Sequence, residues 1–162
     1  MSPLLNKTWS RVGETPIITA PFGHEHLSVI GGLTLEGSLY IQIHPTSIGA
    51  DGVVTFLRHL LNHVPTRMLV LWDGARIHRS RVLSEFRQLD LHGRLVVEYF
   101  PSYAPELDPQ EYVWHQLKHV DLRNLSSNSL DELWIHLRRA TKRLRHRVGL
   151  LKNLTRYAGL DA

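Results

Sequence analysis

The sequence contains no cysteine. Disulfides and thiolate zinc sites are therefore excluded. It has no apolar run approaching membrane-spanning length, and its start, MSPLLNKTWS, lacks the apolar stretch of a secretory signal. A cytoplasmic location with no membrane partner is the expectation. No aspartate precedes Asp51. No acidic residue lies between Arg138 and Arg156, a stretch that carries Arg138, Arg139, Lys142, Arg143, Arg145, Arg147, Lys152 and Arg156. Repeats, low-complexity tracts and interdomain linkers are also missing.

What is present suits one domain over residues 1–162. The chain is 43% hydrophobic and 21% charged, an ordinary balance for a buried core with a solvated surface. The net charge is +4, and the basic residues concentrate in the helical segment 129–158. Such a stripe is the footprint of phosphate-backbone binding, and equally the composition of a solvated helix face.

Read in order, Thr8–Pro16 has turn chemistry and Ile17-Ile18-Thr19 is a candidate short strand. His24-Glu25-His26 is a loop before Leu27–Leu35, which is rich in strand formers. Glu36-Gly37 makes a turn and Leu39–Ile43 returns as the second strand of a hairpin. Asp51–Val64 is helical, with Val53, Leu57, Leu60, Leu61 and Val64 on one face, and Pro65 stops it. Met68–Trp72 is apolar on both faces, as in a buried parallel strand. A helix from Ser80 to Leu89 turns Val82, Leu83, Phe86 and Leu89 inward. Arg94–Phe100 is another strand, and a proline-rich loop leads to a helix from Pro109 to Val120. Ser129-Leu130-Asp131-Glu132 is a capping box that opens the last long helix. Its stripe is Leu130, Leu133, Trp134, Leu137, Leu144 and Val148; Gly149 interrupts it. The pattern predicts an α/β sheet with an antiparallel edge.

Asp73 sits where the Met68–Trp72 strand ends, the place where open α/β sheets gather ligands. Asp-Gly is also plain turn chemistry. Glu111 lies in the first turn of its helix. Asp108-Pro109-Gln110-Glu111 reads as a capping box, with Leu107 and Tyr112 placed as a hydrophobic staple. Spacing alone favours the turn reading for Asp73 and the cap reading for Glu111. The histidine pairs His59/His63 and His115/His119 are four apart on helices, but no HExxH motif accompanies them, so they read as surface or phosphate-facing residues. Trp114 reads as core, and Tyr103 is open.

The words around the two acids are more specific. LWDGARIHRS spans Leu71–Ser80, and PSYAPELDPQEYVWHQLK spans Pro101–Lys118. Together they closely resemble the core of IS630-type insertion-sequence transposases, in the Tc1/mariner group with a DDE site. TWSRVGETP, Thr8–Pro16, is similar to the segment that follows the first catalytic aspartate there. The resemblance implies a ribonuclease-H-like α/β fold, a mixed sheet flanked by helices. It implies three carboxylates on two Mg²⁺ or Mn²⁺ ions, with Asp73 matching the second and Glu111 the third. Hard ions take carboxylate oxygens, and two ions about 3.5–4 Å apart stabilise attacking and leaving oxygens together.

The implied partners are DNA, as transposon ends and target, and a second copy of the chain. Arg76, His78, Arg79 and Lys118 are candidate phosphate contacts, together with Arg138, Arg139, Lys142 and Arg143. The sequence departs from the family in lacking the first aspartate and the helix-turn-helix. Glu14, Glu25 and Glu36 do not match that motif. The expectation is a truncated domain without its first strand, leaving unpaired backbone between two strands that Met1–Leu5 covers only in part. A separately encoded N-terminal part would supply the rest. Two alternatives follow: a catalytically inactive DNA-binding remnant, and a general ribonuclease-H-like nuclease.

Overall fold

Strand formers on either side of a tight turn make the first unit. β1 (Ser28–Leu33) pairs antiparallel with β2 (Leu39–His44), Ser28 opposite His44 and Leu33 opposite Leu39. Gly37 closes the turn at φ +81°, and a Cβ there would lie 2.9 Å from the Val148 carbonyl oxygen. Both the left-handed backbone and the close approach require glycine. The structure is a computed structural model that describes residues 26–89, 93–101, 104–123, 125 and 129–160. The segments Met1–Leu5, Thr8–Pro16 and Ile17–Thr19, the loop residues His24 and Glu25, and Tyr103 lie outside the described residues.

The second unit is parallel. β3 (Met68–Trp72) pairs with β4 (Leu95–Tyr99), Met68 opposite Leu95 and Trp72 opposite Tyr99. The connection passes through a 3₁₀ turn, Arg76–Arg79, and α2 (Arg81–Gln88), capped by the Ser80 hydroxyl. Among the described residues the two strand pairs share no hydrogen bonds. Apolar packing joins them instead. α1 (Ala50–His63) buries Val53, Phe56, Leu57 and Leu60 against Trp72, Leu83, Leu95 and Val97, with Ile30 and Tyr40 of the hairpin at the margin. A second core lies against Leu27 and Leu39 of the hairpin region. There α3 (Pro109–Gln116), α4 (Leu130–Arg145) and α5 (Val148–Tyr157) contribute Val113, Leu137, Leu144 and Leu151. Among the described residues no helix is long and apolar enough to cross a membrane.

Several local expectations change. β3 buries its faces unequally: Met68, Val70 and Trp72 meet α1 and α2, while on the other face Leu71 is half-buried and Leu69 is 59% exposed beside exposed Val96. α2 is too short to turn four apolar residues inward. Leu83 is buried and Phe86 partly so, and Val82 and Leu89 face solvent. α3 ends at Gln116 and gives way to a π-helical turn, Leu117–Asp121, rather than running on to Val120. The break between α4 and α5 falls at His146-Arg147, where the chain tightens into short bonds from His146 to Arg143 and from Arg147 to Leu144. Gly149 sits inside α5, and Val148 is exposed instead of joining the stripe.

Arg145, part of the basic segment, does structural work. Its Nε donates to the Leu39 carbonyl at 3.1 Å and a terminal nitrogen donates to the Ile41 carbonyl at 3.1 Å. It thereby satisfies the outer edge of β2, which would otherwise offer unpaired acceptors to another strand. Arg145→Ala is expected to destabilise the chain by roughly 1–3 kcal/mol, the range for charged hydrogen bonds that leave acceptors unpaired. Denaturant melts of the variant check this.

Candidate active site

Asp73 follows β3 directly, so the parallel strand carries it to the carboxyl end of its sheet. Its carboxylate is 62% exposed, and Oδ1 accepts the Ala75 amide at 3.0 Å, a turn of the type Asp-Gly predicts. The same oxygen lies 3.2 Å from Nε2 of His78. The His78 ring stacks on Trp72, with centroids 4.4 Å apart and planes at 18°. Burial pushes the His78 pKa down, against the opposing pull of the Asp73 charge. Arg79 reaches over the Tyr99 ring at 5.9 Å, and Arg76 is exposed.

Glu111 stands in the first turn of α3. Half of the expected capping box forms: the Asp108 carboxylate accepts the Gln110 amide at 2.9 Å. The other half does not. Among the described residues the Glu111 carboxylate makes no hydrogen bond or ion pair, and the side chain is exposed. The helix start therefore leaves this acid unused.

Asp108 links the two carboxylates. Burial raises its pKa, its bond to Gln110 opposes that, and the charges of Glu111 and Asp73 raise it further. Both motif acids are thus among the charges that act on this half-buried carboxyl, which follows Asp73 by 35 residues of chain (from 73 to 108). Sequence reasoning took Asp108 only as a helix cap. The signal for more was an acid three residues before Glu111 in a loop rich in proline. A raised carboxyl pKa means that the folded chain loses stability as pH climbs from the ordinary aspartate value through the raised one. Asparagine caps equally well. Asp108→Asn should therefore melt higher than the parent at neutral pH, and the difference should vanish in acid, where both are uncharged. Melting curves across that pH range check the sign.

Gln110 also escaped sequence reasoning. A Cβ on Gly31 would lie 2.6 Å from its Nε2 and 3.0 Å from Trp114, so glycine in β1 admits α3 at close range. Trp114 packs against the core and also lines a cleft of about 460 Å³ with Lys118, Ser28, Ser47 and Ile48. The histidine pairs lie ring to ring: His59 and His63 at 4.1 Å with planes tilted by 43°, beside Tyr40, and His115 and His119 stacked at 4.4 Å. Arg138, Arg139 and Lys142 are exposed on α4, whereas Arg143 lies 3.7 Å from Asp121.

A family model described as DDE superfamily endonuclease matches residues 2–134. The chain belongs to this family. Within the DDE superfamily endonucleases, its fold is that of the Mos1 transposase structures, a ribonuclease-H-like α/β arrangement. The Mos1 paired-end complex with left transposon end is similar at a TM-score of 0.59 and 17% identity, over 98% of this chain and 52% of that one. The Mos1 mariner paired-end complex with Mn gives 0.59 and 17%, over 94% and 51%. A pre-cleavage Mos1 transpososome gives 0.60 and 16%, over 93% and 51%. This DDE endonuclease chain spans about half the length of those chains. No curated protein sequence matches it.

A DDE endonuclease site implies divalent cations, and the donors here can be tested against that. They fit in kind: Asp73 and Glu111 offer carboxylate oxygen, the ligand hard divalent ions prefer. They do not fit in number. Among the described residues no three histidine, aspartate or glutamate side chains could hold a common ion.

Proposed function

We propose that this chain is the catalytic domain of a DNA transposase of the IS630 type, cutting and joining phosphodiesters at transposon ends. What supports the reading is the family match over residues 2–134, which covers both motifs, with Asp73 at the end of β3 and Glu111 exposed in the first turn of α3. Asp73 and Glu111 would hold Mg²⁺ or Mn²⁺, two ions in the complete family site. When bound, such ions polarise the phosphodiester and stabilise the attacking and leaving oxygens.

The chain's own part is positioning. β3 and the start of α3 present the two acids from elements packed into separate cores. Arg76 and Arg79, which follow Asp73 closely in the chain, and Lys118, which follows Glu111 beyond α3, would supply positive charge for the DNA backbone, and Arg138, Arg139 and Lys142, exposed on α4, would add to it. Together they would hold the DNA backbone. Pairing of DNA ends, as in the Mos1 paired-end complexes, would bring in a second copy of the chain.

The count of donors favours a second reading. With two carboxylates and no third ligand among the described residues, the chain would bind DNA as a remnant without cutting it. One assay separates the readings. Transposon-end DNA, plain duplex and an RNA–DNA hybrid are incubated with the chain in Mn²⁺, with chelator as control. Metal-dependent nicking of the end-bearing DNA supports the transposase reading. Binding without nicking sinks it in favour of the remnant, and preference for the hybrid points to a general nuclease.

A further inference from the structure

The last helix, α5, carries no acid, and its one tyrosine lies almost wholly in solvent. Tyr157 is 81% exposed, more than any other large hydrophobic side chain among the described residues. Core packing does not account for such a ring. We infer that Tyr157, paired with Tyr112, is a stacking platform for an unpaired base of DNA, with Lys152 and Arg156 on the adjoining phosphates, a role that rests on DNA being the partner as set out under Proposed function.

The fold holds the ring from two sides. Tyr157 meets Tyr112 edge to face, with centroids 5.8 Å apart and planes at 73°. That arrangement turns the edge of one ring to the face of the other and leaves further π-face uncovered. Tyr112 is itself tied, its hydroxyl donating to the Glu106 carbonyl in a long bond of 3.4 Å. The end of α5 is closed as well. The Leu160 amide donates to the Thr155 carbonyl at 3.0 Å and the Gly159 amide to the Arg156 carbonyl at 2.9 Å, with Gly159 at φ +73°. This glycine cap satisfies the last carbonyls of the helix. Leu151, Thr155 and Ala158 are buried beneath it. Tyr157 therefore projects from a fixed support, and a ring held in place loses little freedom when a ligand stacks on it.

Charge selects the ligand. Tyr112 follows Glu111, and Glu106 and Glu111 are both exposed about that turn. A phosphate there would meet like charge. A nucleobase is uncharged and offers a π-face. Bases inside a duplex stack on one another, so only a base out of the stack can lie on the ring. Lys152 and Arg156 are four apart on α5, hence neighbours on its surface. Both are exposed and neither makes an ion pair among the described residues, which suits them to phosphate.

Binding of the full chain to two DNAs, without metal, tests this. One is a blunt duplex; the other is the same duplex with a short single-stranded overhang containing 2-aminopurine, whose fluorescence falls on stacking. The parent should bind the overhang DNA about 10-fold more tightly than the blunt one and quench the probe. Tyr157→Ala should lose the preference and the quenching without a lower melting temperature. Tyr157→Phe should keep both. Lys152→Ala combined with Arg156→Ala should weaken binding of both DNAs and flatten its salt dependence.

A folded Tyr157→Ala chain that keeps the preference and the quenching overturns the platform. So does a Tyr157→Phe chain that behaves like Tyr157→Ala, since a hydroxyl contact would then replace stacking. Loss of self-association in Tyr157→Ala with the overhang preference intact overturns it in favour of a contact between copies of the chain. A parent that binds the blunt duplex equally well overturns the platform alone. A parent that binds neither DNA overturns it together with DNA as the partner.

Discussion

Glu111→Gln is expected to remove Mn²⁺-dependent DNA cleavage without lowering the melting temperature. Charge stabilisation by a bound cation is worth several kcal/mol at the transition state, so losing a ligand should cost about 10³-fold or more in rate. The second half of the expectation is the more telling. If Glu111 served only the capping box, its replacement would weaken the helix start, where a lost cap costs about 0.5–2 kcal/mol. Asp108 caps α3 alone, and the Glu111 carboxylate is exposed without a partner among the described residues. Removing its charge also relieves Asp108. Cleavage rates and melting curves on the same preparations decide the matter. A lower melting temperature with cleavage intact would return Glu111 to a purely structural role.

Removing the charges of Arg138, Arg139 and Lys142 together should strip most of the DNA affinity. If each neutralises one phosphate, each contributes about 0.9 to the slope of log affinity against log salt. The triple alanine variant should then lose about 2.7 from that slope, and its affinity at 0.1 M salt should fall about 10²–10³-fold. Arg143 and Arg145 are left out for structural reasons. Arg143 lies beside Asp121, and Arg145 is bound to β2 carbonyls. Binding curves at several salt concentrations provide the measurement. An unchanged slope would mean that α4 presents only a solvated face, as its composition equally allowed.

Much of the architecture was legible because local signals are strong here. Glu36-Gly37 between two runs of strand formers forced a hairpin, and Ser129 capped a helix where its box predicted. The acids were legible through the long motifs around them, not through spacing, which favoured turn and cap chemistry. What failed depends on neighbours. Apolar content could not tell that the two faces of β3 are covered unequally, since that depends on where α1 and α2 lie. Helical periodicity could not register the change to a π-helical turn after Gln116, where the repeat itself alters.

By itself the sequence determined the order of elements, the turn at Gly37, the caps at Ser80, Asp108 and Ser129, and the two acids that the motifs single out. These are properties of short stretches, set by backbone conformation and near-neighbour hydrogen bonds. Tertiary structure alone decided how like residues divide their work. It laid His78 on Trp72 beside Asp73, and set Arg145 to close a sheet edge while Arg138 stayed in solvent. Charge and hydrogen bonding act through space, so what each group meets is settled only when distant segments pack together.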